Sequence, residues 1–209
     1  NCDILKLVAH KLINKPLKAL LCAKPMTDEK EEVRKIRIIG NLDGENIIID
    51  YNGRVQELYQ SGFGEIVGQK LILSKYEGLY LYEINKIEIF YNNRSISFNE
   101  LMETFYRKDE NILSRYLVYR DLRNRGFVVK ESLEDGIDFY IYNKDDYKVE
   151  SLKYTIFVLN EGYEIEFEKI FENIKKIKKE GNGMIIAVLD RRGEVIYYQV
   201  SEATFYEKK

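Results

Sequence analysis

The sequence holds one histidine, two cysteines and two prolines in 209 residues. The histidine, His10, stands on an N-terminal amphipathic stretch, where a lone His is a surface or packing residue rather than a metal ligand. Cys2 and Cys22 form no CxxC pair, so no zinc site or disulfide framework is implied, and a reducing cytoplasm is the expected location. No apolar run approaches the roughly 18 residues that a membrane span needs, so no membrane partner is expected. The opening ILKLVAHKLINKPLKALL lacks a continuous apolar core and a small-residue cleavage site, so no signal peptide is expected. A surplus of one charge is also missing. The net charge is −2, so bulk electrostatics do not announce a nucleic-acid binder, and such a contact would need a local patch or a partner chain. There is no internal repeat and no low-complexity tract.

What is present is ordinary apolar content, 45%, and charged content of 33%, above the usual quarter or so. The length suits one large or two small domains. Three segments are predicted. Residues 1–34 form a helical extension: Ile4, Leu5, Val8, Leu12 and Ile13 mark a short helix, Pro16 interrupts it or opens a second one, Pro25 stops the run, and residues 27–32 are a charged link. This extension reads as a helical cap or as a partner-binding arm.

Residues 35–108 read as a small α+β domain. Ile36, Ile38 and Ile39 begin a strand, residues 40–44 carry turn chemistry, and Ile47, Ile48 and Ile49 return. Asn52-Gly53 is a further turn signal. Leu71-Ile72-Leu73 is a strand entering a helix through a capping box, Ser74 with Glu77. A strand over 87–91 follows, and a second capping box, Ser97 with Glu100, opens a helix over 98–105.

Residues 109–209 read as a mixed-sheet domain after the polar break Lys108-Asp109-Glu110-Asn111. Tyr116, Val118, Tyr119 and Leu122 give a helix an apolar face, with Arg120, Arg123 and Arg125 towards the other face and the last turn, where positive charge suits the helix dipole. Gly126 stands where a left-handed C-cap residue is wanted. Strands are predicted over 127–129, 138–142, 152–159, 184–189 and 195–200, and a helix over 164–179. The fourth strand, MIIAVL, is of the kind buried on both faces. The adjacent acids Glu134-Asp135 and Asp145-Asp146 read as solvated turn residues, and no metal site is expected.

The runs YLVYRDLRNRGFVVK and GIDFYIY resemble the start of the catalytic domain of the archaeal tRNA-splicing (tRNA-intron) endonucleases. LILSKYEGLYLYEINKIEIF and SISFNELMETF resemble that family's N-terminal domain, and MIIAVLDRRGEVIYYQV its last hairpin. The resemblance covers roughly residues 36–202 and implies an α+β domain followed by a mixed α/β sheet with a restriction-endonuclease-like core. It departs at Gly78, where the family usually has Ala, at some cost in helix propensity.

The family implied by this resemblance excises introns from precursor tRNA at bulge-helix-bulge motifs without a metal or other cofactor. A 2′-hydroxyl attacks the neighbouring phosphate, leaving a 2′,3′-cyclic phosphate and a 5′-hydroxyl. This needs a base, an acid and a cation beside the developing charge, supplied in the family by Tyr, His and Lys. Tyr142 matches the tyrosine; a strand-end tyrosine packed in the core is the plain alternative. Glu150 (or Ser151) stands at the histidine position and Asn182-Gly183 at the lysine position, with Lys179 the nearest lysine. Each lost group costs roughly 10²-fold or more in rate. By resemblance, Lys175 and Lys179 are candidate RNA contacts; a solvated helix face is the plain reading of that run. The acidic loop Asp190–Glu194 and the strand residues Val195, Ile196, Tyr197 and Tyr198 are candidate subunit contacts, although Arg191 and Arg192 intrude in the loop. The expectation is a structural subunit of a cytoplasmic heterotetramer, partnered by a catalytic paralogue and precursor tRNA. An active subunit with substituted groups, or a repurposed RNA- or protein-binding module, are the alternatives.

Overall fold

A computed structural model describes residues 37–134, 136–144, 147, 152–162 and 183–200. The predicted extension over 1–34 and helix over 164–179 lie outside the described residues, as do Glu150, Lys175, Lys179 and Asn182.

The first half is a six-stranded sheet of order β3-β4-β2-β1-β5-β6, carrying three helices. Its strands are β1 (Ile38–Asp43), β2 (Asn46–Asp50), β3 (Glu65–Val67), β4 (Lys70–Leu73), β5 (Ile87–Tyr91) and β6 (Arg94–Ser95). All neighbours are antiparallel except β1 with β5. Ile47 and Ile49 of β2 are fully buried while Ile48 between them is half-buried, the alternation of a strand with one covered face. Residues 40–43, expected to turn, continue β1 instead, and the turn comes at Gly44. Gly40 belongs in the strand for a packing reason: a Cβ there would stand 2.5 Å from an Ile47 methyl carbon.

Helices α1 (Gly53–Gln60), α2 (Lys75–Glu83) and α3 (Phe98–Tyr106) belong to this half. Asn52, expected in a turn, is the N-cap of α1, its side chain accepting from the N–H groups of Arg54 and Val55. Both capping boxes are formed, at Ser74 with Glu77 and at Ser97 with Glu100. Helix α2 buries Tyr76, Glu77, Gly78, Leu79 and Leu81, so it is covered almost all round. Gly78 is a packing requirement here, since a Cβ would lie 2.2 Å from the terminal carbon of Ile47.

The second half is a five-stranded sheet of order β11-β10-β9-β8-β7, built from β7 (Val128–Glu131), β8 (Phe139–Tyr142), β9 (Leu152–Asn160), β10 (Gly183–Leu189) and β11 (Val195–Val200). Strands β9 and β10 are parallel and the other pairs antiparallel. Met184 to Ala187 are buried in succession, so β10 is covered on both faces. Helix α4 (Ile112–Asn124) lies on this sheet and ends at Gly126, whose φ of +91° is the left-handed conformation of a helix stop.

Helices α2 and α4 pack against each other, giving the layer order sheet, helix, helix, sheet. A smaller cluster around Met184, Ile186 and Val200 lies on the far face of the second sheet, and the main core runs through both halves. At its centre the rings of Tyr76 and Tyr119 stack at 6.0 Å, and Phe139 meets both, at 5.1 and 5.8 Å. The arginines of α4 are tied to particular partners rather than to the helix dipole alone. Arg120 pairs with Glu83 at 2.9 Å, Arg125 with Asp121 at 2.6 Å, and Arg123 donates to the carbonyls of Ser61 and Phe127, both at 3.1 Å.

Candidate active-site cleft

Strand β8 places Tyr142. Phe139 and Ile141 alternate into the core, so Tyr140 and Tyr142 face the other way and are half-buried. Tyr142 pairs with Val128 on one side and Leu152 on the other. Between Ile141↔Tyr154 and Tyr142↔Leu152 the register shifts, leaving Lys153 as the extra residue of a bulge. Lys153 Nζ donates to Asn143 Oδ1 at 2.8 Å and lies 5.1 Å from the Phe127 ring centroid.

Tyr142 lines a surface cleft of ≈ 750 Å³ between the two halves, not the core. Lys130 and Tyr147 share its wall on the second-half side, and the Tyr142 and Tyr147 rings meet edge-on at 5.4 Å. The opposite wall comes from Tyr51, the α1 residues Gln56, Tyr59 and Gln60, and Glu65 with Ile66 of β3. Gln56, Tyr59 and Gln60 share one helical face because they are three and four residues apart, while Val55 and Leu58 turn inward.

Among the described residues Lys130 is the cation that lines the cleft with Tyr142, and it is engaged. Its Nζ donates to Glu77 Oε1 at 2.7 Å and to the Gly64 carbonyl at 3.1 Å. Glu77 also accepts from the Ser74 N–H, so one buried carboxylate closes a helix cap and binds the lysine across the halves. Gly64 has φ +67° and no room for a Cβ, which would lie 2.8 Å from the Ile72 carbonyl oxygen; that backbone brings its own carbonyl to Lys130.

Of the pair Asn182-Gly183 expected at the lysine position, Asn182 lies outside the described residues, and Gly183 opens β10 beside Tyr154 of β9. A Cβ at Gly183 would stand 2.6 Å from Tyr154 Cδ1 and 2.7 Å from Cε1. The Tyr154 ring thus fills the space where a side chain at 183 would leave the backbone. Among the described residues, no group of three or more His, Cys, Asp or Glu could hold a metal ion. Among them, too, no helix is long and apolar enough to cross a membrane.

The last hairpin is held from within. Asp190 Oδ1 accepts the N–H groups of Arg192 and Glu194, both at 2.8 Å, and the Glu194 N–H in particular holds its carboxyl below the usual range. Glu194 is exposed. Among the described residues β11 is an outermost strand. Val195 and Tyr197 pack on the main core and Tyr198 on the far face of the sheet, and Ile196 is half-buried. The Tyr197 hydroxyl donates to Asp121 at 2.7 Å; burial, then that carboxylate, pushes its pKa well up.

Sequence reasoning missed the α1 wall. Its only signal was Asn52 ahead of Val55 and Leu58, a cap followed by apolar residues at helical spacing.

Comparison with known proteins agrees with this architecture in both halves. Residues 38–102 match the family described as tRNA intron endonuclease, N-terminal domain, and residues 112–197 the tRNA intron endonuclease, catalytic C-terminal domain. A tRNA-splicing endonuclease of Pyrococcus abyssi (strain GE5 / Orsay) is 32% identical over 165 residues, 78% of this chain and 95% of that protein. One from Methanococcus maripaludis is 32% identical over 167 residues, 79% of this chain and 94% of that protein. One from Thermococcus kodakarensis is 32% identical over 169 residues, 80% and 99% of the two chains. Both halves of the fold and most of its length therefore place the chain in the tRNA-intron endonuclease family.

Proposed function

We propose that this chain is the structural, non-catalytic subunit of a heteromeric archaeal tRNA-splicing endonuclease. It holds in place a paralogous chain that carries the complete Tyr, His and Lys set. That complex excises introns from precursor tRNA at bulge-helix-bulge motifs and leaves 2′,3′-cyclic phosphate and 5′-hydroxyl ends.

The observation that carries this reading is the ring of Tyr154 against Gly183. The reaction needs a cation beside the phosphorane and an acid for the leaving oxygen. Gly183, one of the pair Asn182-Gly183 that stands at the lysine position, offers neither, and the space for a side chain there is taken. Lys130 is committed to Glu77 and to the Gly64 carbonyl. Tyr142 lies on an accessible cleft, but a phenol alone supplies only one of the three roles.

The test is cleavage of a bulge-helix-bulge RNA by the purified chain, alone and mixed with a triad-bearing paralogue. No cut alone, a cut with the partner, and the same cut with Tyr142→Phe in this chain are the expected results. A cut by this chain alone that Tyr142→Phe abolishes would overturn the proposal.

A further inference from the structure

We infer that the cleft beside Tyr142 binds an unpaired nucleotide of the RNA, holding its base between tyrosine rings with glutamine amides at its edge. This rests on the proposed RNA substrate and adds the place and chemistry of the contact.

Four of the described residues on the cleft are tyrosines: Tyr51 and Tyr59 on one wall, Tyr142 and Tyr147 on the other. Tyr51 and Tyr59 are 40% and 43% exposed, so their rings are available to a ligand. Flat rings on both walls suit a flat aromatic guest, and stacking on side chains of this kind is how unpaired bases are held. Two of the chain's four glutamines, Gln56 and Gln60, stand beside Tyr59 on the same helical face. A carboxamide both donates and accepts, which matches the mixed edge of a base.

The charge on the walls selects the same part of a nucleotide. Among the described residues the charged groups on the cleft are Glu65 and Lys130, and Lys130 is neutralised by Glu77 at 2.7 Å. These groups do not attract a phosphate, whereas a neutral base brings no charge for Glu65 to repel. The volume of ≈ 750 Å³ falls within the range of about 300–1,000 Å³ typical of small-molecule clefts. Because the two walls belong to different halves of the fold, a base seated here bridges them.

The test uses a bulge-helix-bulge RNA carrying 2′-deoxy residues at the cut positions, which binds but is not cleaved, and a fully paired RNA of the same length. Binding is measured by fluorescence anisotropy for the full chain and for its complex with the paralogue. Tyr51→Ala with Tyr59→Ala should weaken binding of the bulged RNA roughly tenfold to hundredfold and leave the paired RNA unchanged. Because stacking releases few counterions, that factor should hold between about 50 and 200 mM salt. Removing the bulge bases should weaken wild-type binding by the same factor and the double variant no further. Tyr91→Ala with Tyr106→Ala, somewhat more exposed tyrosines that do not line the cleft, is the control.

Unchanged binding of bulged RNA by the double variant, or no binding of it in either setting, would overturn the base site. Equal loss on both RNAs would also overturn it. Loss of assembly with the paralogue at unchanged RNA affinity would assign the cleft to a protein segment and overturn it too. Cutting by this chain alone would instead sink the structural-subunit reading and leave the base site standing.

Discussion

The seam between the two sheets and the cleft at the end of β8 lie side by side and share Lys130, yet they are furnished differently. The seam is crowded with committed partners. Tyr76, Tyr119 and Phe139 interlock at ring distances of 5.1 to 6.0 Å, and aromatic pairs of this kind each contribute about 0.5–1.5 kcal/mol beyond area burial. Lys130 meets Glu77, Arg123 meets the Ser61 carbonyl, and the Tyr116 hydroxyl donates to Glu83, so charged and polar ties cross at several points. Among the described residues the cleft has tyrosines and amides but little charge. The residues that hold the fold are therefore not those that the family's reaction needs, and a fold fixed this way persists whatever chemistry its site performs.

The largest way to break the seam is Lys130→Met. It leaves the Glu77 carboxylate, only 4% exposed, without its cation. A loss of about 3 kcal/mol in urea unfolding is expected, the cost of stranding one member of a buried pair. Adding Glu77→Gln removes the stranded charge and should restore more than half of that loss. A cost below about 1 kcal/mol for Lys130→Met would make the pair equivalent to a surface bridge and leave the aromatic cluster as the real fastening.

The next test acts on the site. Gly183→Lys puts a lysine into the Asn182-Gly183 pair that stands at the family's lysine position, yet its Cβ must displace the Tyr154 ring. A destabilisation of about 1–3 kcal/mol is expected, as for overpacking elsewhere, with no RNA cut by the chain alone. In a chain that also carries Tyr154→Ala the added cost should shrink, a coupling that a double-mutant cycle reads directly. A stable Gly183→Lys chain that cuts unaided would erase the distinction drawn between seam and cleft.

Local signals made much of this fold legible in the sequence. Ser74 with Glu77 and Ser97 with Glu100 announce helix starts within four residues, and Gly126 announces a stop. The apolar run of β10 declared burial on both faces. Asn52-Gly53 was ambiguous, because asparagine serves equally in a tight turn and as a helix cap; only the packing of Val55 and Leu58 decides for α1. Gly78 read as a propensity cost because nothing local reveals the Ile47 methyl beside it. The cleft was the least legible feature. Tyr142 was found through family resemblance, but Tyr51 and Tyr59 join it only through the packing of the two halves, and Lys130 meets Glu77 across 53 positions of chain.

A smaller effect probes a polar imperfection of the seam. The Tyr119 hydroxyl is buried without a hydrogen-bond partner among the described residues, and burial raises its pKa far above the ordinary value. An unsatisfied buried hydroxyl costs about 1–3 kcal/mol. Tyr119→Phe keeps the ring contacts and should stabilise the chain by about 1 kcal/mol, read as a higher urea midpoint at unchanged slope. A loss of stability would mean that the hydroxyl has a partner and that the seam is fully satisfied.

The smallest expected effect is a slope with pH. Asp138, just ahead of β8, is pushed above the usual carboxylate range by burial, against the pull of the Val158 N–H and of Arg115. Glu131 is likewise raised by burial, against Lys75. Each therefore keeps its proton in the folded chain at a pH where the unfolded chain has lost it. The stability this contributes is complete below the unfolded value, near 4, and disappears as pH rises through the raised folded value. Asp138→Asn removes its share while retaining an acceptor for the Val158 N–H, and Arg115 keeps Asp109 at 2.8 Å. Chemical unfolding from about pH 4 to 7 should then show a flatter dependence for Asp138→Asn than for the wild type. A steeper one would mean that the ion pair with Arg115 outweighs burial, and that this edge of the fold is fastened by charge as firmly as the Lys130 seam.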